Sequence, residues 1–168
     1  MHAQAFDWIK KHAPADAARV LDLGGRDING SARLAFPFAV VYTVLDIAPG
    51  DGVDIVADAA SWDTGGERWA CVVSSETFEH TAYWPAICRT AYTALEDGGR
   101  FIVTTAAPGR PPHSGIDGGW VLHDGEHYAN IQPHRLEVVL RAVGFVDITV
   151  DVQQFPADVR AVATKPKG

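Results

Sequence analysis

The sequence predicts an α/β fold, a parallel sheet with helices packed on it. Short apolar runs alternate along the chain with segments of helical period. Two of those runs carry an acid at the end: Val20-Leu-Asp-Leu23, and Val40-Val-Tyr-Thr-Val-Leu-Asp46. A glycine pair, Gly24-Gly25, follows the first of them at once. That is the pattern of a buried strand feeding a sharp turn with bare backbone. Asp22 and Asp46 are one strand, one crossover and one strand apart, the repeat of a parallel unit.

The elements follow in order. Residues 2–12 read as an amphipathic helix ended by Pro14. Strands are predicted over 18–23, 39–45 and 53–57. The first crossover is short, with only Ser31 to Phe36 open to helix before Pro37. Residues 69–74 read as a fourth strand. Trp84, Ile87, Ala91 and Leu95 recur at helical period, so a helix is predicted from Thr81, its N-cap, to Leu95, closed by Gly98-Gly99. Residues 100–106 are a fifth strand. A helix follows with Pro133 near its start and Gly144 after its end. Residues 145–150 and 159–164 are the last two strands.

Composition agrees with one globular domain spanning residues 1–168. Hydrophobic residues make up 47% and charged residues 21%. No apolar run reaches the length of a membrane span, and no basic-plus-apolar leader opens the chain. A net charge of −7 disfavours nucleic acid and anionic membranes as partners. Cys71 and Cys88 fall inside strand and helix patterns and read as small buried hydrophobes. Together these features point to the cytoplasm.

The turn after the first strand decides the ligand class. A dinucleotide site needs G-x-G-x-x-G; from Gly24 the pattern fails at Arg26, and from Gly25 it fails at Asp27. No phosphate loop closed by Gly-Lys-Ser/Thr is present. Asp22 and Asp27 repel a diphosphate and suit a ligand bearing an amino group or a sulfonium. Asp46, at the end of the second strand, is placed to accept from two ribose hydroxyls.

On these residues the chain resembles the class I S-adenosylmethionine-dependent methyltransferases, small-molecule branch, over roughly residues 15–165. Val20 to Gly30 is similar to the family's first motif, with its third glycine spacing altered by Arg26-Asp27-Ile28-Asn29. Asp46 matches the ribose-binding acid. Asp54-Ile-Val-Ala-Asp-Ala59 looks like the third strand and its loop, which places the adenine-recognising acid at Asp58, with Trp62 near the ring. Ser74-Ser-Glu-Thr-Phe-Glu-His80 is close to the family's S-x-E-V-L-E-H run. The resemblance implies a Rossmann-like, mostly parallel seven-stranded sheet with helices on both faces and the last strand antiparallel. It implies S-adenosylmethionine as cofactor, held by Asp22, Gly24, Gly25, Asp46, Ile47, Asp58, Ala59, Ser75 and Glu76. It implies a small-molecule methyl acceptor.

Residues 108–132 form a long loop rich in Gly and Pro, with His113, Trp120, His123, His127 and Tyr128. A loop of that length in so small a domain is functional or mobile. It leaves the fifth strand at the carboxyl edge of the sheet, where a substrate lid belongs. Glu79, Trp120, His123, His127 and Tyr128 are therefore candidate acceptor contacts. His80 and His113, one from each wall of the crevice, are candidate bases. His123-Asp-Gly-Glu-His127 has the spacing of a metal motif, but Gly125 opposes a helix there, so no metal is expected. Two other readings stay open. One is a cofactor-binding module without activity. The other is a nucleotide-dependent oxidoreductase, although no Tyr is followed four residues later by Lys.

Overall fold

A computed structural model describes residues 1–168. Seven strands form one sheet in the order β3-β2-β1-β4-β5-β7-β6. The strands are β1 (Arg19–Leu23), β2 (Val41–Asp46), β3 (Ile55–Val56), β4 (Trp69–Ser75), β5 (Leu95–Ala106), β6 (Val146–Gln153) and β7 (Asp158–Thr164). The helices are α1 (Ala3–His12), α2 (Trp84–Ala94) and α3 (Pro133–Val143). Strands β1 to β5 pair in parallel. Strand β7 runs antiparallel to both of its neighbours. The predicted sheet is therefore present, with its antiparallel strand last in sequence.

Alternation along each strand sorts the core onto two faces. Leu21, Leu23, Val72, Phe101 and Val103 face α2 and α3, where Ile87, Cys88, Ala91, Leu136 and Leu140 meet them. Val20, Cys71, Val73 and Ile102 face the other way, against Trp8 and Ile9 of α1 and against Ala32 and Ala35. Both faces are covered, so the central strands are apolar until they near their carboxyl ends, where Asp22, Ser74 and Thr104 stand. Truncating a fully buried leucine such as Leu21 costs about 2–5 kcal/mol. Both cysteines are free and buried, and burial raises both thiol pKa values. No helix is long and apolar enough to cross a membrane.

Three local readings change. The first crossover is a single 3₁₀ turn, Ala32–Ala35, with the Ser31 hydroxyl accepting from the Arg33 amide at 3.1 Å. Strand β3 is two residues long, because the Asp54 carboxylate takes the Val44 amide at 2.8 Å where a ladder would have formed. The helix expected from Thr81 begins at Trp84 instead. A 3₁₀ turn, Phe78–His80, comes first, and Thr81 accepts from the Tyr83 amide at 3.1 Å. Gly98-Gly99 do not close that helix. Leu95 turns straight into β5 opposite Trp69, and the glycines lie where the register on β4 shifts before Arg100. Buried Leu95 fixes this, since a longer helix would pull it out of the core.

Candidate active site

The carboxyl ends of β1, β2 and β4 open onto a cavity of about 830 Å³, roofed by the 108–132 loop. This is where ligands bind in open parallel sheets. Asp22, Gly24, Gly25, Asp46, Ile47, Asp58, Ala59, Ser75 and Glu76 line one half. His80, His113, Trp120 and His127 line the rest. Glu79, His123 and Tyr128 lie outside the lining. Trp62 packs on Trp69, ring centroids 5.9 Å apart, rather than on the cavity.

The glycine turn is stitched to β2: the Gly24 amide donates to Leu45 O at 2.7 Å. Gly24 has φ of +79°, and a Cβ there would sit 2.4 Å from Thr77 Oγ1. A Cβ on Gly25 would sit 2.4 Å from the carboxyl carbon of Asp22. Asp22 thus lies directly beneath the turn. Burial pushes its carboxyl up to about 7, against the opposing hydrogen bond from Tyr42. Thr77 is a site residue that sequence reasoning missed. Its hydroxyl lies 3.2 Å from Gly24 O and from Ser75 O, tying the two loops together. The only sequence signal was its place inside the Ser74–His80 run.

Asp46 and Asp58 are braced by backbone. Asp46 accepts from the Arg26 amide at 3.2 Å and the Ala48 amide at 3.0 Å. Asp58 accepts from the Ala60 amide at 2.8 Å through one oxygen. A carboxylate has about four acceptor sites, so both keep capacity for a ligand. Ser75 pairs with Thr104 at 3.0 Å. Glu76 stands in the left-handed region at φ 54°. Its Oε2 accepts from Arg110 at 3.2 Å, while its buried Oε1 has no partner. Arg110 also holds buried Asp158 at 2.5 Å.

The roof is anchored at several points. The Arg26 guanidinium, in the place of a motif glycine, donates to Gly115 O at 3.0 Å and Ile116 O at 3.1 Å. Glu126 gathers the loop on itself, accepting from the Ser114 hydroxyl at 3.0 Å, the Gly115 amide at 2.9 Å and the His123 amide at 2.6 Å. Ala129 and Ile131 amides tie its return to Glu79 O and Ala106 O, each at 2.8 Å. His123 turns outward and pairs with Asp117 at 2.9 Å. It does not converge with His127, so the His123–His127 pattern brings no ligand pair together.

Behind the cavity wall lies a polar knot. The Glu79 side chain is fully buried, accepting from the Thr105 hydroxyl at 2.7 Å and the Ala106 amide at 3.1 Å. Burial, reinforced by Glu76, pushes its carboxyl up to about 8. His80 and His113 meet edge to face with centroids 5.0 Å apart, and Tyr128 packs on both. Burial pushes His80 down to about 4, with His113 adding to the effect. His113 is lowered too, again chiefly by burial. Both imidazoles are neutral near pH 7 and can accept a proton or ligate an ion.

Comparisons with known proteins agree with this geometry. A family model described as a methyltransferase domain matches residues 1–150. No curated protein sequence matches the chain. Among solved structures, Haemonchus contortus phosphoethanolamine N-methyltransferase 2, in complex with S-adenosyl-L-methionine, superposes with a TM-score of 0.73 at 16% identity, over 98% of this chain and 52% of that one. This chain thus spans about half the length of that enzyme. An S-adenosylmethionine-dependent methyltransferase from Mesorhizobium loti gives 0.71 at 19% identity, over 96% of this chain and 98% of that one. Burkholderia thailandensis 1,6-didemethyltoxoflavin-N1-methyltransferase gives 0.69 at 18%, over 98% of this chain and 77% of that one. At these identities the structural likeness is one of fold, and it is the family match over most of the sequence that places the chain. This protein belongs to the methyltransferase-domain family.

Proposed function

We propose that residues 1–168 act as one domain that transfers a methyl group from S-adenosylmethionine to a small-molecule acceptor. The observation that carries this reading is the convergence of Asp22, Asp46 and Asp58, from three successive strand ends, on one cavity under a glycine turn that admits no Cβ. The cradle fits the cofactor: an open backbone, braced carboxylates with spare acceptor sites, and the acids Asp22 and Asp27 flanking a turn whose one base, Arg26, is engaged by the roof carbonyls. The neighbour from Haemonchus contains that cofactor on the same fold.

When bound, S-adenosylmethionine supplies an electrophilic methyl group on a sulfonium. Asp46 accepts from the ribose hydroxyls, and Asp58 from the adenine amino group, with Ile47 and Ala59 against the ring. Gly24, Gly25, Ser75 and Glu76 shape the remainder of the pocket. The chain's task is then alignment and proton removal. Trp120 and His127 line the acceptor side. His113 takes the acceptor proton, and burial, which pushes His80 down to about 4, makes His80 a weak base. The 108–132 loop closes over the acceptor and excludes water. A net charge of −7 favours a small acceptor over nucleic acid. The buried free thiols accord with a cytoplasmic setting.

The test is calorimetric titration with S-adenosylmethionine and NAD, followed by incubation of the protein with a metabolite extract and methyl-labelled cofactor. Binding of the first alone, with label appearing in a small product, is expected. Binding of NAD instead, or cofactor binding without any labelled product, overturns the reading.

A further inference from the structure

We propose that Glu79, His80 and His113 hold a divalent transition-metal ion at the wall of the acceptor pocket. One donor atom from each of the three lies within 4.8 Å of the other two. Glu79 and His80 come from the rigid 3₁₀ turn after β4, and His113 from the roof loop. Metal–ligand bonds are about 2.0–2.2 Å, so side-chain shifts of roughly an ångström close the site.

Three features point to a cation there. First, the Glu79 carboxylate is fully buried, yet its partners are a hydroxyl and an amide, with no cation among them. A buried carboxyl needs a proton or a counter-ion, and the raised carboxyl of Glu79 holds a proton that a bound ion would displace. Arg110 cannot serve, because it is engaged by Glu76 and Asp158. For the same reason the neighbouring His2–Glu76–Asp158 group already has its cation.

Second, His113 is oriented as a ligand. Its Nδ1 lies 3.3 Å from Pro111 O and donates to it. The lone pair is therefore on Nε2, which lies 3.9 Å from Glu79 Oε1. Such a pair is satisfied by a proton or a cation between the two atoms, and 3.9 Å is too long for a shared proton but leaves room for an ion. A carbonyl holding the far nitrogen is the usual support of a metal-bound imidazole. Third, His80 Nδ1 is buried and has no hydrogen-bond partner.

Two neutral imidazoles and one carboxylate suit Zn²⁺, Mn²⁺, Co²⁺ or Fe²⁺ better than Mg²⁺ or Ca²⁺. Three protein ligands leave coordination positions open, and His80 and His113 border the cavity. On the methyl-transfer reading, those positions receive an acceptor that offers a hydroxyl or enol oxygen; with His113 Nε2 on the ion, the metal's lowering of that oxygen's pKa replaces proton transfer to His113.

The 168-residue chain, stripped with chelator, is titrated with Co²⁺ by visible absorption and with Zn²⁺ by calorimetry, without cofactor or acceptor. One ion per chain is expected, with a d–d band of nitrogen–oxygen coordination and a raised melting temperature. Glu79→Gln keeps the Ala106 bond through its carbonyl oxygen and reverses the Thr105 bond, its NH2 donating to the hydroxyl, and should weaken ion binding at least tenfold; His113→Ala, on the roof, should do the same. His134→Ala, exposed on α3, should bind like wild type. Absence of the cobalt band, or affinity unchanged in both Glu79→Gln and His113→Ala, overturns the site. In the labelled-extract assay, chelation should cut hydroxyl- or enol-derived products more than tenfold while cofactor affinity stays constant. Unchanged labelling overturns the acceptor role. Ion binding is read apart from cofactor binding, so failure of either leaves the other standing.

Discussion

The Tyr42 hydroxyl donates a 2.7 Å hydrogen bond to Asp22 Oδ2 in the interior of the sheet. The two side chains share a face: Tyr42 stands opposite Val20 in the parallel register, one alternation from Asp22. This bond is the one polar satisfaction Asp22 has, since its Oδ1 is buried without a partner. The Asp22 carboxyl is raised from 3.8 to about 7. A raised carboxyl means that the folded state holds its proton more tightly than the unfolded chain. The stability Asp22 contributes is complete below pH 4 and is lost as pH climbs toward about 7. The full span is worth on the order of 4 kcal/mol. Asp22→Asn should match wild type near pH 4 and exceed it by about 1–3 kcal/mol at pH 8. Denaturant melts across that range check this. An equal pH slope in both proteins would show that Asp22 titrates as it does in the unfolded chain.

Asp46→Ala should weaken S-adenosylmethionine binding by about 1.5–3 kcal/mol, the loss of charge-assisted hydrogen bonds. Calorimetry on a variant with normal circular dichroism measures it. Unchanged affinity removes Asp46 from the ribose site.

Arg26→Ala should loosen the roof. Its guanidinium makes two bonds to Gly115 and Ile116 carbonyls. Hydrogen exchange over residues 114–119 should accelerate by at least about tenfold, with the β4 core unaffected. Equal protection in the variant would mean that Glu126 alone holds the loop.

Gly25→Ala should destabilise the fold by about 1–3 kcal/mol through overpacking. The new Cβ would meet the carboxyl carbon of Asp22 at 2.4 Å, a buried side chain held in place by the Tyr42 hydroxyl. Cofactor affinity should fall with it. A variant as stable as wild type and with full affinity would show that the turn can move off Asp22.

The parallel sheet was legible because its signals are local. Apolar runs of strand length, an acid at the ends of two of them, and a glycine pair at the first turn all lie within a few residues of one another. The same locality placed Asp22, Asp46 and Asp58 at strand ends, and the structure lines one cavity with all three. Pro133 and Gly144 bounded α3 for the same reason. Where packing from afar competed, local signals failed. Leu95 answers to the core rather than to Gly98-Gly99, so α2 ends early. Glu79 looked like an acceptor contact, yet Thr105 and Ala106 of β5 draw it inward. No pattern in sequence links Arg26 to Gly115, Thr77 to Gly24, or Glu79 to His113. Each pairing is made by chain crossing the sheet edge from elsewhere in the fold. The sequence by itself determined the fold class and the acids of the crevice, because alternation and turn chemistry are written residue by residue. Only the tertiary structure decided which side chains face the cavity and which share a buried charge, because distance and desolvation exist only after the strands have packed.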